Sequence, residues 1–147
     1  MSTERVRYLD HAATGGLLWV ALAAAVAARR RDPKPLITTA RETWTASLVA
    51  HVLARMIGRQ RPMLRRLARG SFRTSSPSFP SRHAATAFAG ATSLGLQERR
   101  LFAPLLALAA TVAASRVYRG LHYPSDAVAG AALGTALTAA DNARTTR

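Results

Sequence analysis

The sequence predicts an all-α fold, a polytopic transmembrane bundle of about five to six helices. Three observations predict it: residues 12–28 are apolar and uncharged, four further segments are mostly apolar between Pro, Gly and Arg punctuation, and no run alternates apolar with polar residues. At 147 residues the chain is read as one membrane-embedded domain, 1–147. Its apolar content is largely Ala, and aromatics are only 6%, so each apolar segment is weaker than a Leu-rich one would be. The absence of cysteine excludes disulfides and thiolate chemistry. With 21 Lys+Arg against 7 Asp+Glu, the formal charge of +14 suits a polyanion, an anionic membrane or an anionic small substrate. Charge alone does not choose among them.

The first helix is expected over 12–28 and ends at Arg29-Arg30-Arg31. Because this basic cluster follows the apolar run instead of preceding it, the segment reads as a retained membrane helix and not as a secretory leader. Asp32-Pro33-Lys34-Pro35 makes a turn. A second helix is expected over 36–57, with Arg41 and Glu42 near one end, where Arg can snorkel and Trp44 can mark the interface. Residues 58–80 form a loop rich in Arg, then in Ser and Pro. A third helix starts at Ser81 or Arg82 and runs to Gln97, and Glu98-Arg99-Arg100 turns the chain. Leu101 to Val117 is the fourth helix and Tyr123 to Ala140 the fifth, in which Gly130 and Gly134 let a neighbouring helix approach closely.

The chemistry gathers around Ser115 to Asp126, Ser-Arg-Val-Tyr-Arg-Gly-Leu-His-Tyr-Pro-Ser-Asp. Pro124 disfavours helix at Tyr123 and suits a first helical turn, so His122 falls just outside the last helix and Asp126 just inside it. Arg116 closes the preceding helix. Helices alternate in direction, so the 58–80 and 117–123 loops lie on one side, and Arg61-Pro62 and Pro80-Ser81-Arg82-His83 meet this stretch there. Ser81 is the expected N-cap of the third helix, whose unpaired N–H groups and positive end favour an anion. His51 and His11 read as packing or interfacial residues, and Arg65, Arg66, Arg69 and Arg73 as a solvated or headgroup-facing patch.

Arg61-Pro62, Pro80-Ser81-Arg82-His83 and Ser115-Arg116-x5-His122-x3-Asp126 together resemble the three-part signature of the type 2 phosphatidic acid phosphatase family, which includes vanadium-dependent haloperoxidases. The family pattern is K-x6-R-P, P-S-x-H and S-R-x5-H-x3-D. Its second and third parts are matched at every fixed position. The first departs from the pattern: the lysine falls at Ala54, with Arg55 beside it, ~100° around the helix, and Arg59 as another candidate replacement.

The resemblance implies that His122 is the nucleophile, forming a phosphohistidine, and that Asp126 holds its imidazole and stabilises its charge. His83 would protonate the leaving alkoxide and then activate water, while Arg61, Arg116, Ser81, the Arg82 N–H and Arg55 or Arg59 would bind the phosphoryl oxygens. No cofactor or metal is implied. Carboxylates near the histidines are also too few for a divalent-cation site.

The implied protein is a multi-pass cell-membrane enzyme that hydrolyses a lipid phosphomonoester or diphosphate. Candidate substrates are an isoprenoid or polyprenyl phosphate, a polyprenyl-phosphoryl sugar phosphate such as decaprenylphosphoryl-ribose 5-phosphate, phosphatidic acid or phosphatidylglycerophosphate. The alternative is a catalytically weak membrane protein that binds anions or lipid phosphates, motivated by Ala54. A nucleic-acid partner is disfavoured by the uncharged 12–28 run and by the absence of aromatics interleaved with the basic residues. Positive charge is nearly balanced between the two ends of the bundle, so the side of the membrane that the site faces stays open, as does the oligomeric state.

Overall fold

The computed structural model describes residues 16–62 and 76–145. They form five α-helices: α1 (Leu17–Arg30), α2 (Lys34–Ile57), α3 (Arg82–Gln97), α4 (Phe102–Tyr118) and α5 (Pro124–Thr145), with a 3-10 turn at Arg99–Leu101 leading into α4. Among the described residues there is no strand. The start of the expected first helix, His11 and the Arg65, Arg66, Arg69 and Arg73 patch lie outside the described residues.

Local chemistry sets the helix ends. After α1, Arg31 takes the left-handed conformation, and the N–H groups of Arg31 and Asp32 close on the carbonyls of Ala28 and Ala27. The Asp32 carboxylate accepts the Lys34 N–H at 2.9 Å and starts α2 beside Pro33 and Pro35. Gly58, at φ 65°, ends α2 by donating its N–H to Ala54 O. The end of α4 is a Schellman turn, in which Leu121 N–H reaches Arg116 O, Gly120 N–H reaches Val117 O, and Gly120 has φ 67°. That turn sends the chain straight into His122.

Helix α3 is the central post. Every residue from Ala84 to Gly95 except Phe88 is buried, and nearly all of them are Ala, Gly, Ser or Thr, so neighbouring backbones come close on several sides. On one side Trp19, Ala23 and Val26 of α1 and Leu105, Ala109 and Val112 of α4 pack against Ala87, Ala91 and Leu94. On another, Ala46 and Ala50 of α2 and Leu133 and Leu137 of α5 enclose Ala85 and Ala89. The α5 contact is backbone to backbone. A Cβ on Gly134 would collide with Ala85 O, and one on Gly130 with Ser81 O.

The outer surface is apolar along α2, where Ile37, Trp44, Leu48, Val52 and Met56 are exposed. Among the described residues, Arg99–Tyr118 is the one stretch long and apolar enough to cross a membrane by length and composition. The described part of the first expected span has 14 residues, ~21 Å of helix, short of a ~30 Å hydrocarbon core. At the end of the bundle away from His122, Glu98 accepts from Arg29 Nη2 and Arg30 Nε. Arg41 pairs with Asp141, and Thr39 Oγ1 lies 2.9 Å from Ser93 Oγ.

Candidate active site

The C-terminal ends of α2 and α4 and the N-terminal ends of α3 and α5 meet at one end of the bundle. Two bonds to backbone carbonyls lock the junction: Ser81 N–H donates to Asp126 O at 2.9 Å, and the side-chain Nη1 of Arg61 donates to Leu121 O at 2.9 Å. The sequence-predicted residues Arg61, Ser81, Arg116, His122 and Asp126 are thereby brought to one place.

Asp126 owes its position to helix capping. It lies in the first turn of α5, and its Oδ2 reaches back to accept the Tyr123 N–H at 2.9 Å, one half of a capping box. Its Oδ1 accepts from Arg59 Nη1 at 2.9 Å, and the same nitrogen donates to Ser125 Oγ at 2.9 Å. The Arg59 guanidinium carbon stands 4.3 Å from the centre of the Tyr123 ring. Asp126 is fully buried, and these contacts satisfy its charge.

His122 is buried, with Nδ1 2.7 Å from Ser78 O and 3.6 Å from Asp126 Oδ2. The imidazole N–H, expected to be held by Asp126, therefore donates to a backbone carbonyl, while Arg59 and Tyr123 donate to the carboxylate. A carbonyl only accepts, so the proton sits on Nδ1 and the lone pair on Nε2. Arg61 Nη1 stands 3.3 Å from that Nε2. Burial and then the Arg61 guanidinium push the imidazole down from its ordinary 6.5 to about 4, against the opposing pull of Ser78 O and Asp126. The site holds a neutral, buried imidazole whose free nitrogen faces a cation.

Arg61 is also held by Ser76, its Nε donating to the carbonyl at 3.0 Å and its Nη2 to Oγ at 3.1 Å. Ser81 caps α3, its Oγ accepting the Ala84 N–H at 3.4 Å, with Arg82 and His83 in the turn that follows. His83 is half-buried and Arg82 exposed. Arg116, in the last turn of α4, is buried, and its charge helps hold the His122 proton off.

Arg55 is not drawn into this group. Ala54, where the lysine is expected, lies on the buried face of α2, whereas Arg55 is exposed in its last turn. Arg59, the other candidate for the lysine's place, directs its Nη1 to Asp126 and Ser125. One residue of the cluster carries no sequence signal: Ser78 lies in a Ser- and Pro-rich tract without periodicity. Arg59 stands out in sequence as a candidate for the lysine's place, but nothing there points to its pairing with Asp126.

The chain matches the profile of the PAP2 superfamily over residues 37–141. The chain belongs to the PAP2 superfamily. Decaprenylphosphoryl-5-phosphoribose phosphatase of Mycobacterium tuberculosis is 37% identical over 125 residues, covering 84% of this chain and 68% of that protein. Lipid A 1-phosphatase of Rhizobium johnstonii is 36% identical over 95 residues, 60% of this chain and 39% of that one. A transmembrane PAP2-type phosphatidylglycerolphosphate phosphatase from Bacillus subtilis shares the fold at a TM-score of 0.71 and 25% identity, over 97% of this chain and 76% of that chain.

Proposed function

We propose that this PAP2 chain is a multi-pass membrane lipid phosphatase, a single domain that removes the terminal phosphate from a polyprenyl-phosphoryl sugar phosphate through a phosphohistidine. The phosphatase class is supported by the family and by relatives named as lipid phosphatases. The substrate class is supported by the mycobacterial relatives, at 36–37% identity. The exposed apolar stripe on α2 and the span at Arg99–Tyr118 support membrane embedding.

One observation carries the mechanism: His122 presents a lone pair on Nε2 beside the Arg61 guanidinium at 3.3 Å, while Ser78 O holds its Nδ1 proton. In the proposed first step, Nε2 attacks phosphorus and the bond from phosphorus to the sugar oxygen breaks, with His83 giving its proton to the leaving alkoxide. Arg61 shifts from Nε2 to the phosphoryl oxygens, joined by Arg116 and by the α3 N-terminus at Ser81 and Arg82. Nearby Asp126 stabilises the imidazolium that forms. In the second step His83 takes a proton from water, whose oxygen attacks phosphorus, breaking the P–N bond and releasing inorganic phosphate.

Phosphate release by the detergent-purified chain, with chelator present, over a panel of polyprenyl-phosphoryl sugar phosphates, prenyl phosphates and phosphatidic acid tests this. Release is expected without added metal, to be greatest for the first class, and to be lost in His122→Ala. Equal release by His122→Ala would overturn the mechanism. The buried Ala54 favours one second reading, a weak phosphate-binding membrane protein. It predicts vanadate binding without turnover in the wild type, and turnover gained in Ala54→Lys.

A further inference from the structure

We propose that Arg59 is a positioning residue that holds the Asp126 carboxylate off the His122 imidazole and so keeps the attacking nitrogen free of a proton in acidic conditions. The catalytic consequence rests on reading His122 as the nucleophile; the effect on the imidazole itself does not.

Asp126 is fully buried, and a buried carboxylate is tolerated where cations and N–H groups surround it. Two groups stand against it: the Arg59 guanidinium, at 2.9 Å from Oδ1, and the imidazole Nδ1, at 3.6 Å from Oδ2. The guanidinium has the firmer hold. Its Nη1 spans Asp126 Oδ1 and Ser125 Oγ, and the Tyr123 ring stacks against it at 4.3 Å. The Tyr123 N–H occupies the other carboxylate oxygen.

Arg59 also acts through its backbone. Its carbonyl accepts the Ser78 N–H at 2.8 Å, and the carbonyl of Ser78 is the one that takes the His122 Nδ1 proton. One residue therefore fixes both groups that flank Nδ1, the acceptor that binds it and the carboxylate that does not. A neutral side chain at 59 would remove the cation paired with Oδ1, leave more of the Asp126 charge to act on the imidazole, and raise the proton affinity of Nε2. The other charged groups facing His122 are Arg61, from the segment after α2, and Arg116 of α4, and both oppose its protonation. From α3, Arg82 and His83 come to this end, and the Arg82 charge acts on Arg61.

The test uses the full chain in detergent as wild type, Arg59→Ala, Arg59→Gln, Arg59→Lys and His122→Ala. Two readouts are taken: the imidazole titration of isotope-labelled protein, with the His122 signal assigned by its loss in His122→Ala, and the pH dependence of kcat/KM. In Arg59→Ala and Arg59→Gln the His122 titration and the acid limb should both move up by about one pH unit, while Arg59→Lys keeps them near wild type. A folded neutral variant with both unmoved, and activity lowered equally at every pH, would overturn the proposal. So would failure of both neutral variants to fold while Arg59→Lys folds, since the role is then structural. If His122→Ala stays active, the nucleophile assignment fails while the imidazole titration still decides the effect of Arg59.

Discussion

Ser78 O lies 2.7 Å from His122 Nδ1, whereas Asp126 Oδ2 stands at 3.6 Å. The acceptor that fixes the tautomer of this buried imidazole is thus an uncharged carbonyl from the segment leading into α3. A carbonyl orients the ring without adding a negative charge to it, so burial and the surrounding arginines dominate its proton affinity. The carboxylate stays close enough to answer a positive charge when one develops.

The first prediction concerns stability against pH. His122 titrates near 4 in the folded chain against 6.5 ordinarily, so between those values the unfolded chain binds the extra proton. Stability is therefore full above about pH 6.5 and falls as pH drops through the window, by on the order of 3 kcal/mol once pH is below 4. Unfolding followed from pH 7.5 to 4 should show this slope in the wild type and a shallower one in His122→Ala. An unchanged slope would mean that other groups set the acid sensitivity.

Ser78→Ala separates the serine side chain from its backbone. The hydroxyl donates to Gln60 O at 3.1 Å in a part-buried bond, and its loss costs about 1 kcal/mol. The carbonyl that holds Nδ1 remains, so kcat should fall by less than about tenfold, a smaller loss than removing a group that reacts. Collapse of kcat to the level of His122→Ala would show that the hydroxyl itself takes part in the chemistry.

The α3–α5 contact gives a prediction on packing. Alanine at Gly134 places its Cβ against the backbone of Ala85 and Ala89, and a rigid helix pair can relieve that only by moving apart, at a cost of about 1–3 kcal/mol. Gly130→Ala meets Ser81 O and so also strains the bond from Ser81 N–H to Asp126 O. Both variants should melt earlier. Gly130→Ala should lose more activity per degree of lost melting temperature, and equal losses would argue that the site tolerates movement of α5.

How far the sequence reaches can be judged from these elements. The sequence places the third helix from Ser81 or Arg82 to Gln97 and the structure has it at Arg82–Gln97, because a Ser cap after Pro and a charged turn are local signals. The sequence places the end of the fifth at Ala140, whereas the helix continues to Thr145. Its polar end resembles a frayed tail in sequence, but Asp141 is pinned by Arg41 from α2. Motif spacing brought His122, Asp126, Arg61, Ser81 and Arg116 to one end. What spacing does not encode is which partner each finds: the Ser78 carbonyl on His122, or Arg59 on Asp126, joins residues 44 and 67 positions apart. Contacts of that kind arise from irregular segments with no period to read.

The last prediction tests the separation of the two ends. Glu98 ties Arg29 and Arg30 of α1 to the turn between α3 and α4, with Arg30 Nη2 also donating to Gln97 O at 2.7 Å. These arginines reach water and the cluster lies at the end of the bundle away from His122, so its attraction is screened by salt. Glu98→Gln should lower the melting temperature slightly at low ionic strength and hardly at all in 0.5 M salt, with kcat/KM unchanged at both. A salt-independent loss of activity would require the far turn to be coupled to the site through α3 or α4, and would move the search for that coupling to the buried Ser93 and Thr39 pair beside it.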